Sequence, residues 1–501
     1  MGRGPDFLLV NPGGRTDIYQ ALGAGLAAIE SPVWVGLIAQ FLRRRGYGVE
    51  VLDANAWDLA PTEVAARVAD VAPLLTVVVV YGHNPSASTQ VMPAAGAICR
   101  ALRERAPHLR SVLVGGHVAA LPERTLREEA ADFVAAGEGL YTLADLADAL
   151  QAADPRLDRV RGLHYREGTA VRSGPPAPLV ADLDAEMPGM AWDLLPMERY
   201  RAHNWHCFGH PDRQPYAALY TTLGCPYQCS FCCIQAPFKA GEAAAGMKPS
   251  VNSYRLWSPE TILEQIDWLV ERHGVRHLKI ADEMFVLNRR HVTALCDGLI
   301  ARGHDLNIWA YARVDTVADD MLEKLRRAGF RWLAFGIEAG SAAVRTSVRK
   351  GFDGSKVARC VEQVRAAGIH VAANYIFGLP EDDEESMRET LQLAFDLDAE
   401  WANFYCAMAY PGSALYGIAQ RSGWPLPARW SGFSQHAVDT LPLPTRHVDG
   451  PAVLRFRDAA FDAYFSRPAY LDRVERAFGP QAVAHVREMA AHRLVRRHAA
   501  A

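Results

Sequence analysis

Residues 217–233 read AALYTTLGCPYQCSFCC, an apolar run that passes directly into four cysteines. The part spanning 217–222 has the length and content of a buried β-strand. Cys225, Cys229 and Cys232 follow in C-x3-C-x2-C spacing, with Cys233 adjacent to the last. The cysteine loop therefore opens at a strand's carboxyl end, where parallel α/β sheets place their ligands. Thiolates are the usual ligands of iron–sulfur clusters, and four complete a [4Fe–4S] cube. Three close thiolates can hold three irons and leave the fourth open. Zinc and unligated core cysteines are the competing readings. Structural zinc normally takes four ligands in two pairs, and His206 and Cys207, before the strand, do not form a nearby second pair. Cys233 is expected to point away from Cys232 and to pack. Cys99, Cys296, Cys360 and Cys406 stand singly in element-like sequence and read as core.

Downstream of the cysteines, strand-like runs recur at RHLKIAD (276–282), LNIWAYAR (306–313), RWLAFGIEAG (331–340), HVAANYIFGLP (370–380) and ANFYCAMAYPG (402–412). Amphipathic stretches such as SPETILEQIDWLVERHG separate them. About six βα units predict a barrel or partial barrel with its site at the carboxyl ends of the strands. Upstream, FLLVN, VEVLD (49–53), TVVVVY (76–81), SVLVGG (111–116) and DFVAAG (132–137) alternate with helical stretches. That pattern predicts a doubly wound α/β domain, a parallel sheet covered on both faces. The expected division is 1–150 for this domain, 151–212 for a Pro- and Asp-rich linker, 213–420 for the barrel and 421–501 for a helical region. The last stretch, HRLVRRHAAA, is expected to fray.

Composition narrows the class. A chain of 501 residues, 50% hydrophobic and 22% charged, has enough apolar sequence for two or three cores. A formal net charge of −4 gives no basis for broad binding to nucleic acid or anionic membrane. Nine cysteines, an odd number, argue against a complete disulfide framework. The opening MGRGPDFLLVNPGG carries too short an apolar run for a signal peptide or a membrane span, and a cytoplasmic location is expected.

C-x3-C-x-(aromatic)-C with Phe231 as the aromatic, after the first strand of a predicted barrel, resembles the signature of the radical S-adenosylmethionine (SAM) superfamily. Further elements follow in that family's order. Phe335-Gly336-Ile337-Glu338-Ala339-Gly340-Ser341 resembles its fourth-strand element, and the resemblance implies that Glu338 contacts SAM. Asp282 and Glu283 match an acidic pair after the second strand, and Arg313 a third-strand arginine facing the SAM carboxylate. Gly378-Leu379-Pro380 resembles the fifth-strand element near the adenine, which makes Gly378 and Pro380 candidate contacts. The implied cofactors are SAM and a [4Fe–4S] cluster on Cys225, Cys229 and Cys232. One-electron reduction of SAM would then release a 5′-deoxyadenosyl radical.

The α/β domain ahead of the barrel resembles the cobalamin-binding domain of B12-dependent radical SAM enzymes. Gly115 and Gly116 end a strand and let backbone approach a bulky ligand. Ser86 and Ser88 lie in the loop after TVVVVY, where hydroxyls could meet the nucleotide tail. Gly137 and Glu138 match a "GEG" turn common in that family. The resemblance departs at Asp53-Ala54-Asn55-Ala56-Trp57-Asp58, where no His stands in place of the usual cobalt ligand. His83 and His117 are the possible ligands from other loops. The family resemblance is to class B radical SAM methyltransferases, and it implies methylation of an unactivated carbon of a small-molecule substrate in specialised metabolism. Oxidative cyclisation or ring rearrangement is compatible with the same cofactors, and a non-catalytic cobalamin- or metal-binding regulator is a distant third reading. An external flavodoxin- or ferredoxin-like electron donor is implied as a partner.

Overall fold

A computed structural model of the chain describes residues 4–499. The N-terminal sheet contains β1 (Phe7–Asn11), β2 (Val49–Asp53), β3 (Leu75–Val79), β4 (Arg110–Val114), β5 (Phe133–Ala135), β6 (Leu163–Glu167) and β7 (Ala170–Ser173). Its order is β2-β1-β3-β4-β5-β6-β7, with the first five strands parallel and the last two antiparallel. Strand alternation builds two cores from one sheet. Phe7, Leu9, Val77 and Val79 enter one apolar cluster, while Leu8, Val10, Val78 and Val80 enter another on the opposite face. The order 2-1-3-4-5 reverses between β1 and β3, and the loops after those strands form its natural ligand crevice.

The second sheet is entirely parallel, ordered β8 (Tyr216–Leu219), β11 (His277–Ile280), β12 (Asn307–Ala312), β13 (Phe330–Glu338), β14 (His370–Phe377) and β15 (Trp401–Cys406). It is a partial barrel of six strands, since β8 and β15 do not pair. The strand expected over 217–222 breaks in two. After β8, residues Thr222–Leu223 form β9, which pairs antiparallel with β10 (Arg255–Leu256) outside the barrel sheet. Tyr220 and Thr221 make the break, and Asp282 stabilises it by accepting bonds from Thr221 N, Thr221 Oγ1 and Thr222 Oγ1 at 2.6, 2.5 and 3.0 Å.

Each free barrel edge is closed by a side chain acting as a strand residue. Ser31 Oγ bonds both N and O of Ala218 on β8, at 2.9 and 3.3 Å. Gln435 accepts from Cys406 N at 2.9 Å and donates to its carbonyl at 3.0 Å on β15. One residue of each edge strand is thereby satisfied without another strand.

Two expectations change. Residues 151–212, read as a linker, contribute the β6–β7 hairpin, whose short and mostly exposed strands carry little apolar signal. The rest of that segment is packed, with Met187, Trp192 and Tyr200 in the main core. The stretch expected to fray is tied down at two residues, Arg497 N donating to Val438 O at 2.8 Å and Arg496 pairing with Asp458 at 3.0 Å, while its last two residues, 500 and 501, lie outside the described residues. Long-range partners that no local pattern announces hold it. Three helices, Gly450–Phe465, Pro468–Phe478 and Pro480–Ala491, precede that end. Among the described residues, no helix is long and apolar enough to cross a membrane.

The N-terminal domain is pinned to the barrel by Glu138. Its carboxylate, 4% exposed, accepts from Arg255 of β10 at 2.7 and 3.2 Å and from Val180 N at 2.8 Å. Removing one partner of a buried pair strands the other. Glu138→Ala is expected to cost about 3 kcal/mol of stability, seen as a lower thermal midpoint; an unchanged midpoint would show that the pair carries no docking energy.

Candidate active site

The carboxyl ends of both sheets open onto one cavity of about 790 Å³. Asn11, Pro12 and Gly13 after β1 line it on one side, with residues 82–86 after β3. Glu283, Arg313, Glu338 and Ile376 from the ends of β11 to β14 line it on the other, and Lys279, Trp309 and Asn374 carry it down into the barrel. Cys225, Cys229 and Cys232 all face it, as does Phe231, which bridges two small apolar clusters. Cys233, expected only to pack, is buried but also borders this cavity and a smaller one of about 30 Å³.

The cysteine loop is held by partners the sequence did not announce. Asn252 Nδ2 donates to the carbonyls of Cys225 and Tyr227 at 2.9 and 2.7 Å. Gln235 Oε1 accepts from Cys225 N at 3.1 Å, while Gln235 Nε2 donates to the buried Glu242 at 2.6 Å. Ser230 is fixed from both sides, donating to Val348 O and accepting from Leu415 N at 3.0 and 2.7 Å. Burial pushes the Cys225 thiol up to about 11 and raises those of Cys229 and Cys232, so a bound cation favours their thiolate forms. Among the described residues, no three His, Cys, Asp or Glu side chains gather closely enough to hold a single ion. Three thiols of one loop facing one cavity suit a cluster with an open iron better than structural zinc, which normally takes four ligands.

Glu338 sits on a register irregularity: the β13–β14 pairing steps from Gly336↔Asn374 to Glu338↔Tyr375, skipping Ile337. Its φ of 64° is left-handed, a conformation that costs a non-glycine residue on the order of 1 kcal/mol. Bulges of this kind re-aim side chains beside active sites. The Glu338 carboxylate meets Lys350 Nζ at 2.6 Å. Burial works against the Lys350 charge, but Glu338 outweighs it and the pKa rises. A Cβ on Gly336 would stand 2.4 Å from Glu338 Oε1, so the ion pair occupies the space that this glycine leaves. Arg313 pairs with Asp315 at 2.9 Å and lies 4.1 Å from the Tyr227 ring centre. Burial raises Glu283 to about 7 against the pull of Lys279, so this carboxyl can hold or release a proton near neutrality.

Several predicted residues lie elsewhere. Asp282 is buried in the β8–β9 turn, and burial pushes it up to about 6 despite three donors. Gly378 donates to Asp382 at 3.0 Å, and its missing Cβ makes room for Val453; Pro380 accepts from Arg446 N. Neither lines the cavity, whereas Ile376 does. Ser86 borders the large cavity. Ser88 is buried, bonded to Val80 O and to His117 N. Gly115 packs against Val80, where any Cβ would collide, and Gly116 faces the small cavity with His117. Glu138 belongs to the Arg255 contact already described, and a Cβ on Gly137 would meet only Pro237 O, at 3.7 Å. Asp53 caps its own helix and accepts from Asn11 and Tyr200 at 2.7 and 2.8 Å. Burial lowers His83 to about 4 and His117 to about 3, which keeps both neutral.

Two families match this architecture. Residues 219–394 match the Radical SAM superfamily, and residues 19–147 match the B12 binding domain. The chain is a radical SAM enzyme with a B12-binding domain. Its cofactors are SAM, a [4Fe–4S] cluster and cobalamin. An uncharacterized methyltransferase of Pyrococcus horikoshii is 26% identical, covering 93% of each chain. The anaerobic magnesium-protoporphyrin IX monomethyl ester cyclase of Synechocystis sp. is also 26% identical, over 82% of this chain and 77% of its own. The fold is shared with TsrM, a radical SAM methyltransferase from Kitasatospora setae solved with cobalamin and a [4Fe–4S] cluster. The TM-score is 0.68 at 16% identity, over 97% of this radical SAM enzyme and 99% of that chain.

Asn252→Ala removes two hydrogen bonds to carbonyls of the cysteine loop, worth about 1 kcal/mol each. The variant is expected to take up iron on reconstitution but to lose it to a chelator faster than the parent. Equal rates of iron release would mean the loop is held without Asn252.

Proposed function

We propose that the enzyme methylates an unactivated carbon of a small-molecule substrate in specialised metabolite biosynthesis. The observation that carries this reading is the single cavity shared by the cysteine loop and the crevice of the B12-binding domain. When bound, the cluster supplies the electron that cleaves SAM and cobalamin supplies a methyl carrier. Cys225, Cys229 and Cys232 would hold the cluster, leaving one iron for SAM. Glu338, anchored by Lys350 through one oxygen, leaves the other free to accept from a SAM hydroxyl or ammonium group. Arg313, steadied by Asp315 and Tyr227, offers a guanidinium to the SAM carboxylate. Glu283 lines the same cavity and can offer its protonated carboxyl as a hydrogen-bond donor to substrate. Ile376, Trp309 and Tyr311 exclude water from the barrel interior.

The relative named a methyltransferase, alike over nearly its whole length, supports methyl transfer. The relative named a cyclase supports a second reading, ring closure without methyl transfer. The electron donor is a flavodoxin- or ferredoxin-like protein, and the location is cytoplasmic. Neither nucleic acid nor membrane is a partner in this reading.

The test starts from protein purified without oxygen, reconstituted with iron, sulfide and hydroxocobalamin, then given SAM and titanium(III) citrate. Methyl transfer is expected to yield both 5′-deoxyadenosine and S-adenosylhomocysteine, with Cys229→Ala abolishing the first and binding little iron. 5′-Deoxyadenosine without S-adenosylhomocysteine would favour the cyclase reading, and neither product would sink both.

A further inference from the structure

Lys279, the third residue of β11, points into the barrel with its side chain only 2% exposed. Its Nζ lies 2.6 Å from Glu30 Oε2 and 3.2 Å from the carbonyl oxygen of His83. The Trp309 ring centre stands 5.1 Å away, and His203 Nε2 faces the second Glu30 oxygen at 3.2 Å. Glu30 and His83 both belong to the N-terminal domain, whereas Lys279 belongs to the barrel. One buried cation is thus shared between a carboxylate and a loop carbonyl of the facing domain. Ser31, next to Glu30, is bonded to β8, so the carboxylate is delivered on a fixed arm.

Stability alone does not account for this arrangement. Two charges taken out of water lose hydration that their attraction barely restores, and apolar side chains of similar volume generally serve as well. What apolar side chains cannot do is orient a carbonyl. A charge-assisted bond to His83 O is short and directional, and it fixes the loop at residues 82–86. That loop stands at the reversal of strand order between β1 and β3 and lines the cavity opposite Glu283 and Arg313.

We propose that Lys279, held by Glu30, is a positioning residue that clamps the His83 loop of the B12-binding domain over the barrel mouth and so sets the seat of the corrin ring. The inference rests on the cobalamin dependence stated above.

Hydroxocobalamin binding to the reconstituted full-length protein tests it, with iron content and thermal midpoint measured alongside. The double variant Glu30→Gln, Lys279→Met removes both charges and leaves neither stranded. It is expected to keep the parent's iron and thermal midpoint, yet bind hydroxocobalamin about tenfold more weakly. After reduction to cobalt(II), its electron paramagnetic resonance spectrum should broaden as the corrin samples more than one seat. Lys279→Met alone should bind more weakly still, because Glu30 is then buried without its partner. A double variant that binds within about twofold of the parent, with an unchanged spectrum, would overturn the proposal. A double variant that fails to fold would overturn it too, in favour of a purely structural pair. Parent protein that binds no cobalamin would remove the proposal together with the assignment it rests on.

Discussion

A parallel sheet of six strands that does not close must satisfy two unpaired edges. Much else in this molecule follows from how it does so. Single side chains, Ser31 and Gln435, satisfy one residue of each edge strand and leave the seam between them open. The N-terminal domain reaches the seam with Glu30 and Ser31, and the C-terminal helices reach it with Arg457, which donates to Phe404 O at 2.8 Å. Neither fills it. The cavity runs through the gap from the crevice of one sheet into the interior of the other, so two domains share one reaction space.

Rigid support for that space comes from polar groups that face away from it. Asn252, Gln235 and Asp282 spend their hydrogen bonds on the turn and loop that carry the cysteines, whereas Glu338 accepts a left-handed backbone to reach the cavity. Strain at one residue survives only where its neighbours over-determine it. Here the neighbours are the Lys350 ion pair, the gap left by Gly336, and parallel pairing to β14. A looser β13 would let Glu338 relax and turn its carboxylate aside.

Much of the fold could be read from the sequence because its strands are buried on both faces and its helices are amphipathic. FLLVN, TVVVVY and RWLAFGIEAG announce themselves by composition alone. That the cysteine triplet and Glu338 share one cavity could be anticipated, the first because its members are close in the chain and the second because a family motif surrounds it. Asn252, Lys350 and the Glu30–Lys279 pair could not be, since their partners lie between 12 and 249 residues away and no spacing rule links them. The β6–β7 hairpin was missed for the opposite reason: its strands are short, mostly exposed and poorly patterned. Gly378 and Glu138 show a different failure. A glycine beside a strand end and an acid between two glycines have the sequence signature of ligand contacts, yet one makes room for Val453 and the other docks two domains.

The buried charges around the cavity come in matched pairs: Lys279 with Glu30, Lys350 with Glu338, Arg313 with Asp315. Burial meanwhile disfavours the charged form of the three thiols. Glu283, outside these pairs and raised to about 7 by burial, can shed its charge, so a ligand set must come close to neutral to meet the smallest cost of desolvation here. A cluster on three thiolates is a net anion in its oxidised state, and SAM is a net cation through its sulfonium. Bound together they satisfy that requirement; bound singly, neither does. Charge matching thus makes each a better host for the other, and it gives a physical reason for the cysteine loop and the Glu338 wall to face a common space.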